Sequence, residues 1–306
     1  MKAKKDLLSL YDLNKKEIEA FLTRALELKK KQKKGEHYHP LKGKTLGMIF
    51  EKPSTRTRVS FEVGMFQLGG LALYMRWTDT QLGRGESVAD TARTLSRYMD
   101  GIMIRTFSQA TIEEFAHNAT VPVINGLTDL CHPCQILADL LTIREKRKGM
   151  KGLKVAYIGD GNNIAHSWIH AALRLQFDLA VACPKTYCPD AAVLETARRE
   201  AASNIVLLHD PFEAVKNAHV ISTDTWVSMG QEKEYHGRIK AFQNFQVNAK
   251  LVEAAAPDVM VMHCLPAHRG EEITDEVMDG GHSVIFDQAE NRLHIQKAIL
   301  ELLMGK

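Results

Sequence analysis

An α/β protein of two domains, each a mostly parallel sheet flanked by helices, is implied by three features of this chain. Short apolar runs alternate with stretches of helical spacing, the rhythm of parallel strands joined by crossover helices. That rhythm occurs twice, interrupted by a basic, glycine-bearing stretch at 148–152 that reads as a hinge. At 306 residues the chain also exceeds what one core readily holds, since single cores rarely grow past roughly 250–300 residues.

The first helix begins after Asn14, which can cap it. Glu17 stands at the capping-box position, and Ile18, Phe21, Leu22, Ala25 and Leu28 keep helical spacing. In the first half, strands are predicted at 45–50, 71–75, 101–104 and 121–124, with helices near 57–67, 87–99 and 111–117. Val59, Phe61, Val63, Phe66 and Leu68 are expected to line the apolar side of the helix after the first strand. A long helix over 133–147 leads to the hinge. In the second half, strands are predicted at 153–158, 179–182, 205–208, 220–223, 259–263 and 284–286, followed by a closing helix at 289–303. The expected domains are 1–133 and 134–288, with the segment 289–306 packing back on the first.

Composition narrows the function classes. Hydrophobic residues are 45% and charged residues 25%, ordinary for a globular protein. A net charge of +3 is too small to argue for nucleic acid or an acidic membrane surface. No apolar stretch approaches the roughly 18 residues a membrane span needs. The segment 1–7 has neither the apolar core nor the cleavage site of a signal peptide. Five cysteines, odd in number and sparse, read as reduced thiols and not as a disulfide framework. A cytoplasmic location is expected.

In open α/β sheets, ligands bind beyond the carboxyl ends of the strands, so the residues there are informative. After the first strand comes Pro53 and then Ser54-Thr55-Arg56-Thr57-Arg58. These hydroxyls and two guanidiniums sit at a helix N-terminus, where first-turn N–H groups lack intrahelical partners and the macrodipole adds partial positive charge. The segment can hold a phosphate or another small oxyanion. An N-cap with two solvated arginines is the plainer alternative. After the third strand comes Arg105, and after the fourth Asn125, Leu127 and then His132-Pro133-Cys134-Gln135. The second half contributes Asp160-Gly161-Asn162-Asn163, then Asp224, then Cys264-Leu265-Pro266. Polar and basic groups from both halves thus point to an active site in an interdomain cleft.

Some of these segments admit other readings. Cys131 and Cys134 form a Cys-x-x-Cys pair, as in thiol–disulfide exchange or zinc sites. The redox motif belongs near the start of a small domain, and zinc needs a second ligand pair at short spacing, which His263-Cys264 could supply only by a coincidence across the cleft. His132 and Gln135, three apart on one helix face, can instead both point at a bound carbonyl or amide. Cys131 is expected to be structural. The stretch 159–164 resembles a dinucleotide fingerprint, but Ile164 stands at the third glycine position and Asp160 would face a pyrophosphate. Asn162 and Asn163 read better as neutral hydrogen-bonding groups for a small polar substrate. Asp224 with the loop Ser228-Met229-Gly230 suits a cationic ligand under a flexible lid, or an acid that simply caps a turn. An isolated Cys264 would ordinarily be an inert small hydrophobe. The Leu265-Pro266 bond could be cis, as about 5–6% of such bonds are, turning backbone carbonyls into the cleft.

Taken together, the chain resembles the ornithine branch of the aspartate/ornithine carbamoyltransferase family over essentially its whole length. The residues that carry the resemblance are Ser54-Thr55-Arg56-Thr57, Arg105, His132-Pro133-Cys134-Gln135, Asp224 with Ser228-Met229-Gly230, His263-Cys264-Leu265-Pro266 and Glu290-Asn291-Arg292. The Ser-Thr-Arg-Thr and His-Pro elements are shared by carbamoyltransferases generally and specify carbamoyl phosphate. Ser-Met-Gly and His-Cys-Leu-Pro resemble the ornithine branch more narrowly.

The resemblance implies transfer of a carbamoyl group from carbamoyl phosphate to the δ-amine of L-ornithine, giving L-citrulline and phosphate in arginine or urea-type metabolism. It implies no metal or organic cofactor, and a homotrimer or assembly of trimers with sites between subunits. By the same resemblance Ser54, Thr55, Arg56 and Thr57 hold the phosphate, and Gln81 reaches a neighbouring subunit's phosphate. Arg105, His132 and Arg292 polarise the carbonyl. Gln135 and the backbone carbonyls of Cys264 and Leu265 accept from the NH2. Asn163, Asp224, Ser228 and Met229 meet ornithine's α-groups, and its δ-amine meets Cys264 and Asp224. An aspartate-specific relative would need cations where Asp224 and Cys264 stand. A putrescine-specific one would not need the Ser-Met-Gly loop, and a non-catalytic anion-binding protein would not need Cys264 or Arg292.

Overall fold

The computed structural model describes residues 5–147 and 149–305. The first four residues, and Lys148 at the start of the expected hinge, lie outside the described residues. The chain divides into two compact units, one running to Leu141 and resuming at Glu290, the other Thr142–Ala289.

In the first unit, four parallel strands lie among the described residues: β1 (Thr45–Phe50), β2 (Leu71–Arg76), β3 (Gly101–Arg105) and β4 (Val123–Leu127). They pair in the order β2-β1-β3-β4. The inner strands β1 and β3 are buried almost throughout, as a sheet covered on both faces requires, while edge strand β2 is half-exposed. The accompanying helices are α1 (Lys15–Lys33), α2 (Thr55–Gln67), α3 (Val88–Leu95), α4 (Gln109–Asn118) and α5 (Pro133–Arg147). Asn14 and Glu17 form the expected capping box on α1, at 3.1 and 2.9 Å. Ser54, Ser87 and Ser108 cap α2, α3 and α4 through their hydroxyl oxygens. Ile49, Ile102, Ile104, Ile112, Phe115 and Val123 build the core between sheet and helices.

The second unit holds β5 (Lys154–Ile158), β6 (Asp178–Ala182), β7 (Ile205–Leu208), β8 (Val220–Thr223) and β9 (Met260–His263), all parallel in the order β7-β6-β5-β8-β9. Around them run α6 (Asn163–Leu175), α7 (Ala191–Glu200), α8 (Pro211–Val215), α9 (Tyr235–Phe242), α10 (Ala249–Glu253) and α11 (Asp275–Met278). Ala156, Ile158, Ile221, Phe242 and Val261 centre its core. The last helix, α12 (Ile285–Met304), closes the chain. No helix among the described residues is long and apolar enough to cross a membrane.

Three expectations change. Residues 284–286 do not form a strand. Val284 donates to Val261 at 3.0 Å, but its carbonyl already accepts from Gln288 at 2.9 Å, so α12 starts at Ile285. Asp287 in the first turn favours that start electrostatically. The division between the units falls inside α5, at Leu141, and not at its beginning. Finally, α2 buries Phe61 and Met65, with Leu68 buried just past its end, but turns Val59, Val63 and Phe66 outward, Phe66 being 79% exposed. Leu71 and Leu73 of β2 are exposed as well.

Candidate active site

Each sheet reverses its strand order once: between β1 and β3 in the first unit, and between β5 and β8 in the second. Such switch points open crevices at the carboxyl ends of strands: Ser54–Thr57 follow β1, Arg105 ends β3, Asn163 follows β5 and Asp224 follows β8, while His132 and Cys264 follow the adjoining strands β4 and β9.

In the first unit, the helix start after β1 is held by Ser54, whose Oγ accepts from the Thr57 N–H at 3.2 Å. The Arg58 N–H goes to the Ser54 carbonyl at 3.1 Å. The N–H groups of Thr55 and Arg56 therefore stand at the open end of α2, where no intrahelical acceptor exists. Arg56 is half-buried. Arg58 is not part of this cradle: it lies over the Tyr74 ring at 3.9 Å and donates to Glu62 at 3.0 Å. Two residues along a helix are about 200° apart, so adjacent-looking arginines face opposite ways.

Arg292 of α12 ties this cradle to α5. Its Nη1 donates to Gln135 Oε1 at 2.5 Å and its Nη2 to Thr57 Oγ1 at 3.1 Å, while Gln135 Nε2 donates to Asp139 Oδ1 at 2.8 Å. Arg292, Gln135, Asp139 and Thr57 are all buried. Arg105 ends β3, also buried, and His132 sits just ahead of α5. Burial first, then the guanidiniums of Arg292 and Arg105, hold the His132 imidazole well below its ordinary pKa. It is thus a neutral donor beside two cations. Such a preorganised group of donors stabilises negative charge on a bound oxygen. Gln81 lies exposed on the short turn Gln81–Arg84 between β2 and α3.

Cys131 and Cys134 are buried, their thiols donating to the carbonyls of Leu8 at 3.4 Å and Asn125 at 3.3 Å. Burial pushes both thiols up to about 12, which leaves no thiolate for exchange chemistry.

In the second unit, the centre is Asp224, just after β8. Its Oδ1 accepts from the Thr225 N–H at 2.8 Å and from the Cys264 thiol at 2.9 Å, and its Oδ2 accepts from Asn162 Nδ2 at 2.8 Å. Asn162 also caps α6, its Oδ1 accepting from Ile164 N–H at 2.9 Å and from the Tyr157 hydroxyl at 3.2 Å. Asn162, read from sequence as a substrate group, is therefore committed to holding the acid. Asn163, the first residue of α6, is half-buried. The Leu265-Pro266 bond is cis, and Leu265 has a φ of 58°. The Leu265 N–H donates to His263 Nδ1 at 2.9 Å, so the ring proton sits on Nε2, which faces Glu272 Oε1 at 2.9 Å. Glu272 Oε1 also accepts from the His268 N–H at 2.6 Å. This buried chain, which sequence reading missed, fixes the turn that carries Cys264. Beyond it, the Ser228 N–H donates to Gln231 Oε1 at 3.1 Å and the Met229 side chain is exposed.

Asp160 pairs with buried Arg238 at 2.9 Å, and burial still pushes its carboxyl up to about 6. A Cβ at Gly161 would come within 2.2 Å of Pro189 N. The loop after β5 is thus sealed where a dinucleotide phosphate would lie, and the fingerprint reading fails on space.

Comparison with known proteins also divides the chain in two, with the second family model running on over the part of α12 that the structure groups with the first unit. Residues 5–145 match the family model of the aspartate/ornithine carbamoyltransferase carbamoyl-P binding domain, and residues 151–303 that of the Asp/Orn binding domain. The ornithine carbamoyltransferase of Syntrophus aciditrophicus is 62% identical, covering 98% of this chain and 100% of its own length. The solved ornithine carbamoyltransferase of Pyrococcus furiosus is 57% identical with a TM-score of 0.96, covering 99% of this chain and 98% of its own. The anabolic enzyme of Campylobacter jejuni is 44% identical with a TM-score of 0.92 over 98% of both chains.

Proposed function

The chain belongs to the aspartate/ornithine carbamoyltransferase family, and we propose that it moves the carbamoyl group of carbamoyl phosphate to the δ-amine of L-ornithine, releasing L-citrulline and phosphate. The observation that carries the ornithine branch is Asp224 accepting from the Cys264 thiol at 2.9 Å while Asn162 holds its other oxygen. A fixed carboxylate beside a thiol suits an ammonium or amine and repels a substrate with a second carboxylate.

Ser54, Thr55, Arg56 and Thr57 hold the phosphate at the start of α2. Arg105, His132 and Arg292 donate to the carbonyl oxygen. Gln135 and the backbone carbonyls of Cys264 and Leu265 accept from the NH2. Asn163, Asp224, Ser228 and the Met229 backbone hold ornithine's α-groups, and Asp224 and Cys264 receive the δ-amine. That amine has a solution pKa of about 10.4, so binding must favour its neutral form through desolvation and hydrogen bonding. Its nitrogen attacks the carbamoyl carbon, and the charge that builds on the carbonyl oxygen meets the two guanidiniums and His132. The C–O bond to phosphate then breaks, and the departing phosphate takes the amine's proton. No separate protein base and no cofactor is needed.

The active form is a homotrimer or an assembly of trimers, with Gln81 reaching the phosphate of a neighbouring copy. The outward apolar stripe of Val59, Val63 and Phe66, with exposed Leu71 and Leu73, supports burial of this face against another copy. The sparse, odd set of five cysteines supports a reducing cytoplasm. The names of the Pyrococcus furiosus and Campylobacter jejuni relatives as anabolic support a place in arginine biosynthesis.

The test is citrulline formation from purified protein, run beside putrescine and aspartate. Ornithine should give the highest kcat/KM. Faster carbamoylation of either rival would refute the ornithine reading.

A further inference from the structure

Away from the residues assigned to the reaction, the carboxyl ends of two neighbouring strands bring two thiols and an imidazole together. Cys183 follows β6 directly and His209 follows β7 directly. Ala182 pairs with Leu208 in the parallel ladder, so the two next residues are neighbours by register. Cys188 returns to the same place at the end of the loop that leaves β6. One ligand atom from each of the three lies within 4.8 Å of the other two.

The surroundings suit an ion. His209 Nδ1 lies 2.9 Å from the Cys183 carbonyl, which fixes the ring beside the sulfurs. Cys183 is buried, Cys188 half-buried and His209 exposed, so the cluster has an entry path from solvent. Two cysteines alone would suggest a disulfide, but an imidazole as third donor is what a metal site adds. Two sulfurs and a ring nitrogen form a soft, borderline donor set.

We propose that Cys183, Cys188 and His209 bind a divalent thiophilic metal ion, with zinc as the best-suited member and water in the fourth position. On binding, each thiol releases its proton to solvent and the thiolate takes the metal. The ion ties the 183–190 loop to β6 and β7. That loop lies on the wall of the proposed ornithine half-site: the Tyr187 carbonyl accepts from the Gly161 N–H at 2.9 Å, and the Cys188-Pro189 backbone abuts Gly161. The Tyr187 ring also lies under Arg238 at 4.6 Å. The metal is therefore a brace behind Asn162 and Asp224, not a participant in transfer.

Asp224, His263 and Cys264 form another group of possible ligands, as do His268, Glu271 and Glu272, so the test separates them. Reduced, metal-stripped full-length protein is titrated with cobalt(II), whose thiolate charge-transfer absorption scales with the number of bound sulfurs. The wild type should show a two-thiolate band with the visible absorption of a tetrahedral site. Cys188→Ser should halve that band and weaken binding at least about tenfold, and His209→Ala should weaken it similarly. Cys264→Ser should retain the two-thiolate band. Zinc should raise the melting temperature of the wild type and not that of Cys188→Ser, which also reports that the variant folds. The proposal is overturned if the wild type shows no charge-transfer band. Wild-type cobalt binding by Cys188→Ser and His209→Ala, or loss of the whole signal in Cys264→Ser, would overturn it equally.

Discussion

The two half-sites solve opposite electrostatic problems. In the first unit, Arg292 donates to the neutral groups Gln135 and Thr57, and the nearby acid Asp139 accepts from the Gln135 amide. In the second unit, the buried cation Arg238 is neutralised by Asp160, and the central charge is the carboxylate of Asp224. A guanidinium that donates to neutral groups can still attract an incoming anion, and a carboxylate that accepts from neutral donors can still attract an amine. The lesson lies in the partners: a buried charge paired with its opposite builds structure, and one paired with neutral groups is set for a ligand.

Arg292→Ala should break the first half most severely. Thr57 and Gln135 lose their shared donor, and one of the groups proposed to donate to the carbonyl oxygen disappears. A drop in kcat of about 10²- to 10³-fold is expected, the range for losing one such donor. Steady-state kinetics with both substrates would check it. A variant that keeps kcat and loses only ornithine affinity would erase the contrast between the halves.

Asp224→Asn comes next. It removes the charge while keeping the shape, and one of its oxygens becomes an NH2 that Asn162 or Cys264 can no longer donate to. Losing a charge-assisted bond worth about 1.5–3 kcal/mol should lower kcat/KM for ornithine about 10- to 100-fold. The dissociation constant for carbamoyl phosphate, measured by calorimetry without ornithine, should stay within about twofold. Equal weakening of both ligands would mean that Asp224 serves more than the amine.

Acid should separate the units by a smaller margin. His132 is held well below the ordinary imidazole range and His294 at about 4, both chiefly by burial in the first unit. The second unit has His170, at about 4, and His219, lowered by burial, but it also has Asp160, raised to about 6. Below about pH 6.5 the unfolded chain protonates these imidazoles and the folded chain does not. Their contribution is therefore present above that pH and lost as pH falls, by up to about 1.4 kcal/mol per unit for each. Asp160 acts oppositely: between about 6 and 4 the folded state holds the extra proton, so acid favours folding there. Hydrogen exchange followed by mass spectrometry from pH 6.5 to 5 should show protection falling faster in the first unit. Faster loss in the second would reverse the assignment.

Much of this was readable in the sequence because strand ends are local signals. An apolar run followed by Ser54-Thr55-Arg56-Thr57, or by Asp224, marks a polar group at a carboxyl edge without knowledge of the rest of the fold. The alternation of runs also yielded nine parallel strands among the described residues, at nearly the expected positions. The run 284–286 failed because three apolar residues read alike in a strand and in a first helical turn. What stayed hidden depends on distant pairs. The Glu272 bond to His263 and the Arg238 bond to Asp160 join residues whose proximity only the tertiary fold sets. The outward face of α2 was misread for another reason: an apolar stripe shows that burial is favourable, not whether the chain's own core supplies it.

The smallest expected effect tests the cradle itself. Arg56 and Arg58 look equivalent in sequence, yet Arg58 points to Tyr74 and Glu62 on the exposed side of α2. A solvated cation–π contact and an i,i+4 ion pair each contribute at most about 1 kcal/mol, so Arg58→Ala should shift stability by no more than that. Its kinetic constants should stay within about twofold of the wild type, provided the assembly is intact by light scattering. Arg56→Ala, made alongside, should raise the KM for carbamoyl phosphate at least about tenfold, because a charge-assisted bond to phosphate is worth about 1.5–3 kcal/mol. Both proteins lose one positive charge at almost the same place, so long-range attraction of the phosphate falls equally in each. Whatever difference remains between them measures direct contact. If both variants raise KM alike, the cradle works through its field and not through the geometry of α2.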